Sequence, residues 1–163
     1  MKIIFLDIDG VLNCMGSKSR CQGFIGIDND KVKRLKQIVD ATDAKIVLTS
    51  TWKLSWNKNP DLNNYSGNYL NRKLKRQNLF IMDKTIDNGM NRGTGIINFI
   101  NKFHTKIENW IVIDDEYFPD YRKTGVLEHM VKTDFHNNGG LQDRHVELAI
   151  NLLNKENEHG LEK

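Results

Sequence analysis

An α/β chain, with a parallel sheet between two layers of helices, is what this sequence predicts, and three observations predict it. Short apolar runs recur as IIFL, KIVL and WIVI, without the alternation of a half-exposed strand, as burial on both faces demands. Segments with apolar residues at helical spacing lie between and after these runs. Each run ends on acids or hydroxyls at a sharp change of composition, which places polar chemistry along one edge of the sheet.

Taken in order, Lys2–Leu6 is a buried strand: brief, β-rich and stopped by a turn. The four glycines from Gly10 to Gly26 show no period, and this stretch is a loop or a flap that begins at the turn. Residues 28–40 form a helix with Val32, Leu35, Ile38 and Val39 on one face and Asp28 or Asn29 as its cap. Lys45–Leu48 is the second strand. Residues 52–68, rich in Asn, Ser and Trp, carry no clear period; a short basic helix covers 69–77 and a third strand covers 79–82. A helix over 94–104 buries Ile96, Ile97, Ile100 and Phe103, and a strand over 110–113 follows. Residues 130–133 make a last short strand, 142–154 a closing helix with Val146, Ala149, Ile150 and Leu153 inward, and the polar tail from Lys155 frays.

At 163 residues one domain is the default, spanning 1–163, with 52–90 the one place for a small lid or insertion. The net charge of +3 suits an anionic substrate without marking a nucleic-acid binder. Cys14 and Cys21 read as free thiols of a reducing compartment, and they lack the second pair that a zinc site needs. No run approaches a membrane span, and the opening MKIIFLDIDG is broken by acids too early for a signal peptide, so a cytoplasmic protein is expected. Nothing in the sequence calls for an obligate protein partner.

The strand ends carry the chemistry. Asp7 and Asp9 follow IIFL, Thr49 and Ser50 follow KIVL, and Asp114 and Asp115 follow WIVI. Carboxylates brought within ~5 Å of one another repel by roughly 3 kcal/mol per pair at an effective dielectric near 20. A hard divalent cation with oxygen ligands relieves this, and Mg²⁺ suits such a small open cluster. Acids two residues apart around a sharp turn take different tasks, one attacking and the other moving a proton. The turn at Gly10 also exposes backbone N–H groups to a phosphate.

LDIDGVLN, IVLTS and IVIDD, in that order, resemble motifs one, two and four of the haloacid dehalogenase (HAD) superfamily of aspartate-nucleophile phosphatases. The match covers the core from Lys2 to about Asp120. TSTW and the late stretch MVKTDFHNNGGLQDRHVELAINLL are similar, more narrowly, to small phosphatase-like domains of bacterial and phage RNA-repair proteins. The resemblance implies a Rossmann-like three-layer α/β/α fold with a minimal cap. It implies a phosphohydrolase acting on phosphomonoesters of small molecules or nucleic-acid ends. Asp7 would be the nucleophile and a Mg²⁺ ligand. Asp9 would be the general acid and then base, with its backbone carbonyl on the metal. Thr49, with Ser50 as second candidate, would hold the transferring phosphoryl group, and Asp114 and Asp115 would hold Mg²⁺. The third motif is a cation that neutralises the phosphoryl group and the nucleophile; Arg92 fits best, with Lys84 and Lys102 as alternatives, and RGTG adds helix N-terminal amides for an anion. Val11 departs from the Thr found in many relatives, as it does in nucleotidase-like and RNA-repair-like members.

Three further readings compete. A non-catalytic phosphate or nucleic-acid binding module would keep the fold without turnover. A phosphotransferase would use the same residues, and a dehalogenase would need no Mg²⁺, against which the doubled Asp114–Asp115 argues. NRKLKRQ is a solvated helix face or a phosphate-backbone contact. Trp52 and Trp56 pack the fold or stack on a base, and Tyr117 and Phe118 line the same rim or merely pack.

Overall fold

In a computed structural model of the chain, residues 1–155 are described, and the tail expected to fray lies outside them apart from Lys155. Five parallel strands form the sheet in the order β5-β4-β1-β6-β7. They are β1 (Lys2–Leu6), β4 (Lys45–Leu48), β5 (Ile81–Lys84), β6 (Asn109–Asp114) and β7 (Met130–Lys132). The helices are α1 (Asn29–Thr42), α2 (Tyr65–Lys75), α3 (Arg92–Lys102) and α4 (Asp143–Asn154). The sheet pairs β1 with β4 and β6 in parallel register, Phe5 lying between Val47 and Val112.

Strand alternation divides the core into two layers. Ile4, Leu6, Ile46, Leu48, Ile111 and Ile113 meet the apolar faces of α1, α2 and α4. Ile3, Phe5, Val47 and Val112 meet Ile96 and Phe99 of α3, with Tyr121 and Val126 from the segment after β6. Phe5 packs edge-on against both Phe99 and Trp110, at 5.6 and 5.9 Å between ring centroids. The three-layer α/β/α class expected from the uninterrupted apolar strands is the class observed.

Element boundaries move where tertiary contacts outweigh local pattern. The basic helix starts at Tyr65 rather than Tyr69, because the Asn64 side chain accepts the Ser66 and Gly67 N–H groups and caps it there. Leu70 and Leu74 of this helix sit in the main core, so residues 65–84 form a crossover to β5, and the stretch 51–64 holds two short 3₁₀ turns. The third strand runs two residues later than expected. Asp28 holds the cap position of α1 without capping it; its carboxylate is taken by the Ser17 hydroxyl at 2.5 Å and by Lys31 at 3.0 Å.

The loop after β1 contains structure that the sequence pattern hid. Arg20–Cys21 (β2) and Phe24–Ile25 (β3) pair as a two-stranded hairpin. Gln22 and Gly23 turn it with φ of 50° and 84°, the paired left-handed conformation of a tight two-residue hairpin turn. Cys14 and Cys21 are free and buried. Among the described residues no helix is long and apolar enough to cross a membrane.

Candidate active site

The ladder continues for one step past the strands and aligns the residues that carry the chemistry. Asp7 donates its backbone N–H to Ile113 at 3.0 Å, Thr49 donates to Leu6 at 2.9 Å, and Thr133 donates to Asp114 at 3.0 Å. The carboxyl edges of β1, β4, β6 and β7 therefore end together. Carboxylate oxygens of Asp7, Asp114 and Asp115 lie within 4.8 Å of one another.

One cation stands inside this group. The Arg92 guanidinium lies 3.1 Å from the Asp7 carboxylate and 2.7 Å from that of Asp114. It comes from the first turn of α3, is 5% exposed, and has the Phe118 ring 4.0 Å away against its flat face. The Tyr121 hydroxyl donates to the same Asp114 oxygen at 2.8 Å, and the Glu116 N–H reaches the other at 3.0 Å. Burial, and then the Asp114 charge, hold the Tyr121 phenol protonated well above its usual range, so it remains a donor.

The balance of charge is unfinished. Three carboxylates against one guanidinium leave a formal −2. Burial first, then Asp114, push Asp7 up to about 8, against the pull of Arg92 and of the Ser50 hydroxyl. Burial, with Asp114 and Glu116, raises Asp115 to about 6. A divalent cation would supply the missing charge, and all-oxygen donors are what Mg²⁺ takes. Among the described residues, two buried side-chain polar atoms also lack hydrogen-bond partners: the Thr49 hydroxyl and Nε of Arg92. A buried hydroxyl and a guanidinium N–H left open beside Asp7 suit an oxyanion ligand.

Gly10 makes the turn possible. Its φ is +75°, and a Cβ there would lie 2.2 Å from Cγ of Asp115. The turn is pinned on both sides: its N–H donates to the Asn13 side chain at 2.9 Å, and its carbonyl accepts from the Thr133 hydroxyl at 2.7 Å. Asn13 also donates to Asp9 at 2.8 Å, and the Trp52 indole N–H donates to the other Asp9 oxygen at 3.0 Å. Side-chain oxygens of Asp9 are not part of the three-acid cluster.

Several expectations change. Lys84 is occupied with the carbonyls of Lys53 and Trp56, at 2.8 and 2.6 Å, and Lys102 lies in the last turn of α3, at the end remote from Arg92. The Gly93 and Thr94 amides of RGTG are not free for a ligand. The Asp120 carboxylate takes the Gly93 and Thr94 N–H groups at 3.0 and 2.7 Å, a chain-supplied anion at the helix start. Trp56 is buried and donates to Asn71 at 2.9 Å, a packing role. Asn13, Tyr121 and Thr133 went unnoticed in the sequence. Asn13 stood within LDIDGVLN as a signal, whereas nothing local distinguishes Tyr121 or Thr133.

A doubly covered parallel sheet with an acid cluster and one buried arginine at its carboxyl edge defines a HAD-type α/β domain. The chain belongs to the family described as the HAD domain in Swiss Army Knife RNA repair proteins, whose family model matches residues 3–146. No curated protein and no solved structure matches the chain.

Proposed function

We propose that the protein is a Mg²⁺-dependent phosphatase that removes a terminal phosphate from nucleic-acid ends through an aspartyl-phosphate. The observation that carries this reading is the position of Arg92, bridging Asp7 and Asp114 in a site that stays two charges short. The family's RNA-repair description supports the choice of substrate.

Asp7 attacks phosphorus with a carboxylate oxygen, and the ester P–O bond breaks. Asp9 gives its proton to the departing oxygen. Asp9 then takes a proton from water, the water oxygen attacks phosphorus, and the Asp7–phosphorus bond breaks to release inorganic phosphate. Thr49 and Arg92 donate to phosphoryl oxygens, where charge accumulates in the transition state. Asn13 and Trp52 hold Asp9 in place throughout. Mg²⁺, held by Asp7, Asp114 and Asp115 with the Asp9 carbonyl, would offset the site's negative charge and polarise a phosphate oxygen.

The deciding experiment measures phosphate release from end-phosphorylated oligoribonucleotides and from simple phosphomonoesters, with Mg²⁺ and with chelator. Release that needs Mg²⁺ and disappears in Asp7→Asn supports the reading. Turnover by Asp7→Asn at the wild-type rate, or binding without release from any substrate, rejects it.

A further inference from the structure

Asp9 has a second neighbourhood. On the side away from the acid cluster it borders an open cleft of about 540 Å³ between the β2–β3 hairpin and the 3₁₀ turn after β4. Phe24, Trp52 and Phe135 bring three aromatic rings to its walls, and the hydroxyls of Thr51, Ser55 and Ser66 lie among them. Among the described residues, no lysine or arginine lines it. Phe24, on the hairpin, is 75% exposed, a phenyl ring left in water beside an aromatic-walled recess.

We infer that this cleft receives the base of the nucleoside that carries the scissile phosphate, stacked against Phe24 and its aromatic neighbours. Location rests on the phosphatase reading, because that reading puts the phosphate at Asp7. The character of the cleft is a separate observation. Aromatic faces with a few uncharged hydroxyls match a flat π-system with a polar edge. Missing cations argue against a second phosphate in the same recess, since backbone recognition works through Lys and Arg. Asp9 lines the cleft and stands two residues from Asp7, which sets the cleft next to the position that the phosphatase reading gives the phosphate. The Trp52 indole touches both functions: its N–H holds Asp9 while its ring forms the wall.

The test measures binding to the full chain in Mg²⁺, with etheno-AMP, ribose 5-phosphate and a 5′-phosphorylated trinucleotide as probes. Wild type should bind etheno-AMP about 10-fold more tightly than ribose 5-phosphate, the order expected of one stacked base. Phe24→Ala should remove most of that advantage and move ribose 5-phosphate affinity by less than about two-fold. Being exposed, Phe24 can be truncated without endangering the fold. Phe80→Ala, also exposed but ahead of β5 at the opposite sheet edge, should change neither affinity. Equal affinity of wild type for etheno-AMP and ribose 5-phosphate overturns the inference, as does a Phe24→Ala variant that weakens both alike. A trinucleotide bound more tightly than etheno-AMP would assign the pocket to nucleic-acid ends; equal binding would assign it to mononucleotides. Since binding is the readout, failure here leaves the phosphatase reading standing, and absence of turnover leaves the base pocket standing.

Discussion

The two sides of Asp9 are built by opposite rules. Toward the sheet, Asp7, Arg92 and Asp114 are buried and locked by ion pairs of 3.1 and 2.7 Å, with Tyr121 donating from behind. Toward the hairpin, the cleft is open, uncharged apart from Asp9, and edged by an exposed phenylalanine. Preorganised charge works best where water is excluded, since a low dielectric strengthens each interaction and no reorganisation is needed at the moment of reaction. Selection of a base needs a surface that the ligand itself covers. The difference teaches that losses on the first side should appear in rate and stability, and losses on the second in affinity alone.

The largest expected break is Asp7→Asn. Phosphate release should fall by at least about 10³-fold, because the attacking oxygen is lost while the remaining donors stay; a single-turnover assay with labelled substrate also shows whether the phospho-enzyme fails to form. Next comes Arg92→Ala. It leaves Asp7 and Asp114 buried without their shared cation, which should cost about 3–5 kcal/mol of stability in denaturant titration and reduce kcat by about 10²–10³-fold. Adding Mg²⁺ should recover part of that stability but not the rate. If Arg92→Ala unfolds at the wild-type denaturant concentration, the ion-pair account of this side fails.

Trp52→Phe sharpens the comparison because it keeps a ring in the cleft and removes one hydrogen bond to Asp9. One hydrogen bond is worth about 0.5–1.5 kcal/mol, so kcat should drop by about 2–10-fold while nucleotide affinity changes little. A variant that loses affinity and keeps kcat would reverse the assignment of the two sides.

The smallest effect lies outside both regions and serves as their control. His145 closes the cap of α4 by accepting the Gln142 N–H on Nδ1 at 3.0 Å. Burial, and then Arg144, lower its pKa in the folded chain. The unfolded chain therefore binds the extra proton first, and stability should be whole above about pH 6.5 and diminish as pH falls toward the folded value. Protonation also turns the acceptor into a donor and breaks a cap worth about 1 kcal/mol. Asp7 and Asp115, raised to about 8 and about 6, push stability the opposite way over this range in both proteins, so the readout is a difference: the urea midpoint of His145→Gln starts below that of wild type at about pH 7.5, and the gap should narrow by about pH 5.5.

Legibility along the chain followed the range of the forces. IIFL, KIVL and WIVI were readable because two-sided burial leaves its mark on consecutive residues, and the acids beyond them were readable because parallel strands end on one edge. The hairpin over 20–25 escaped because four paired residues are too few for a period, and only its contacts with the rest of the fold stabilise so short a pair. Lys84 and Arg92 looked alike as cations near the right helix. Choosing between them needed coordinates, since one side chain caps carbonyls and the other enters the acid cluster. Asp120 could not be anticipated as the occupant of the RGTG amides, because it comes from the far side of β6.

By itself, then, the sequence determined the α/β class, the order of the strong strands and the residue types at their tips, all written in neighbouring residues by burial and turn chemistry. Tertiary structure alone decided which charges meet, which amides are already taken, and that an aromatic cleft opens beside Asp9. Those outcomes depend on distances between segments far apart in the chain, and Coulomb energy and hydrogen bonding act on distance in space.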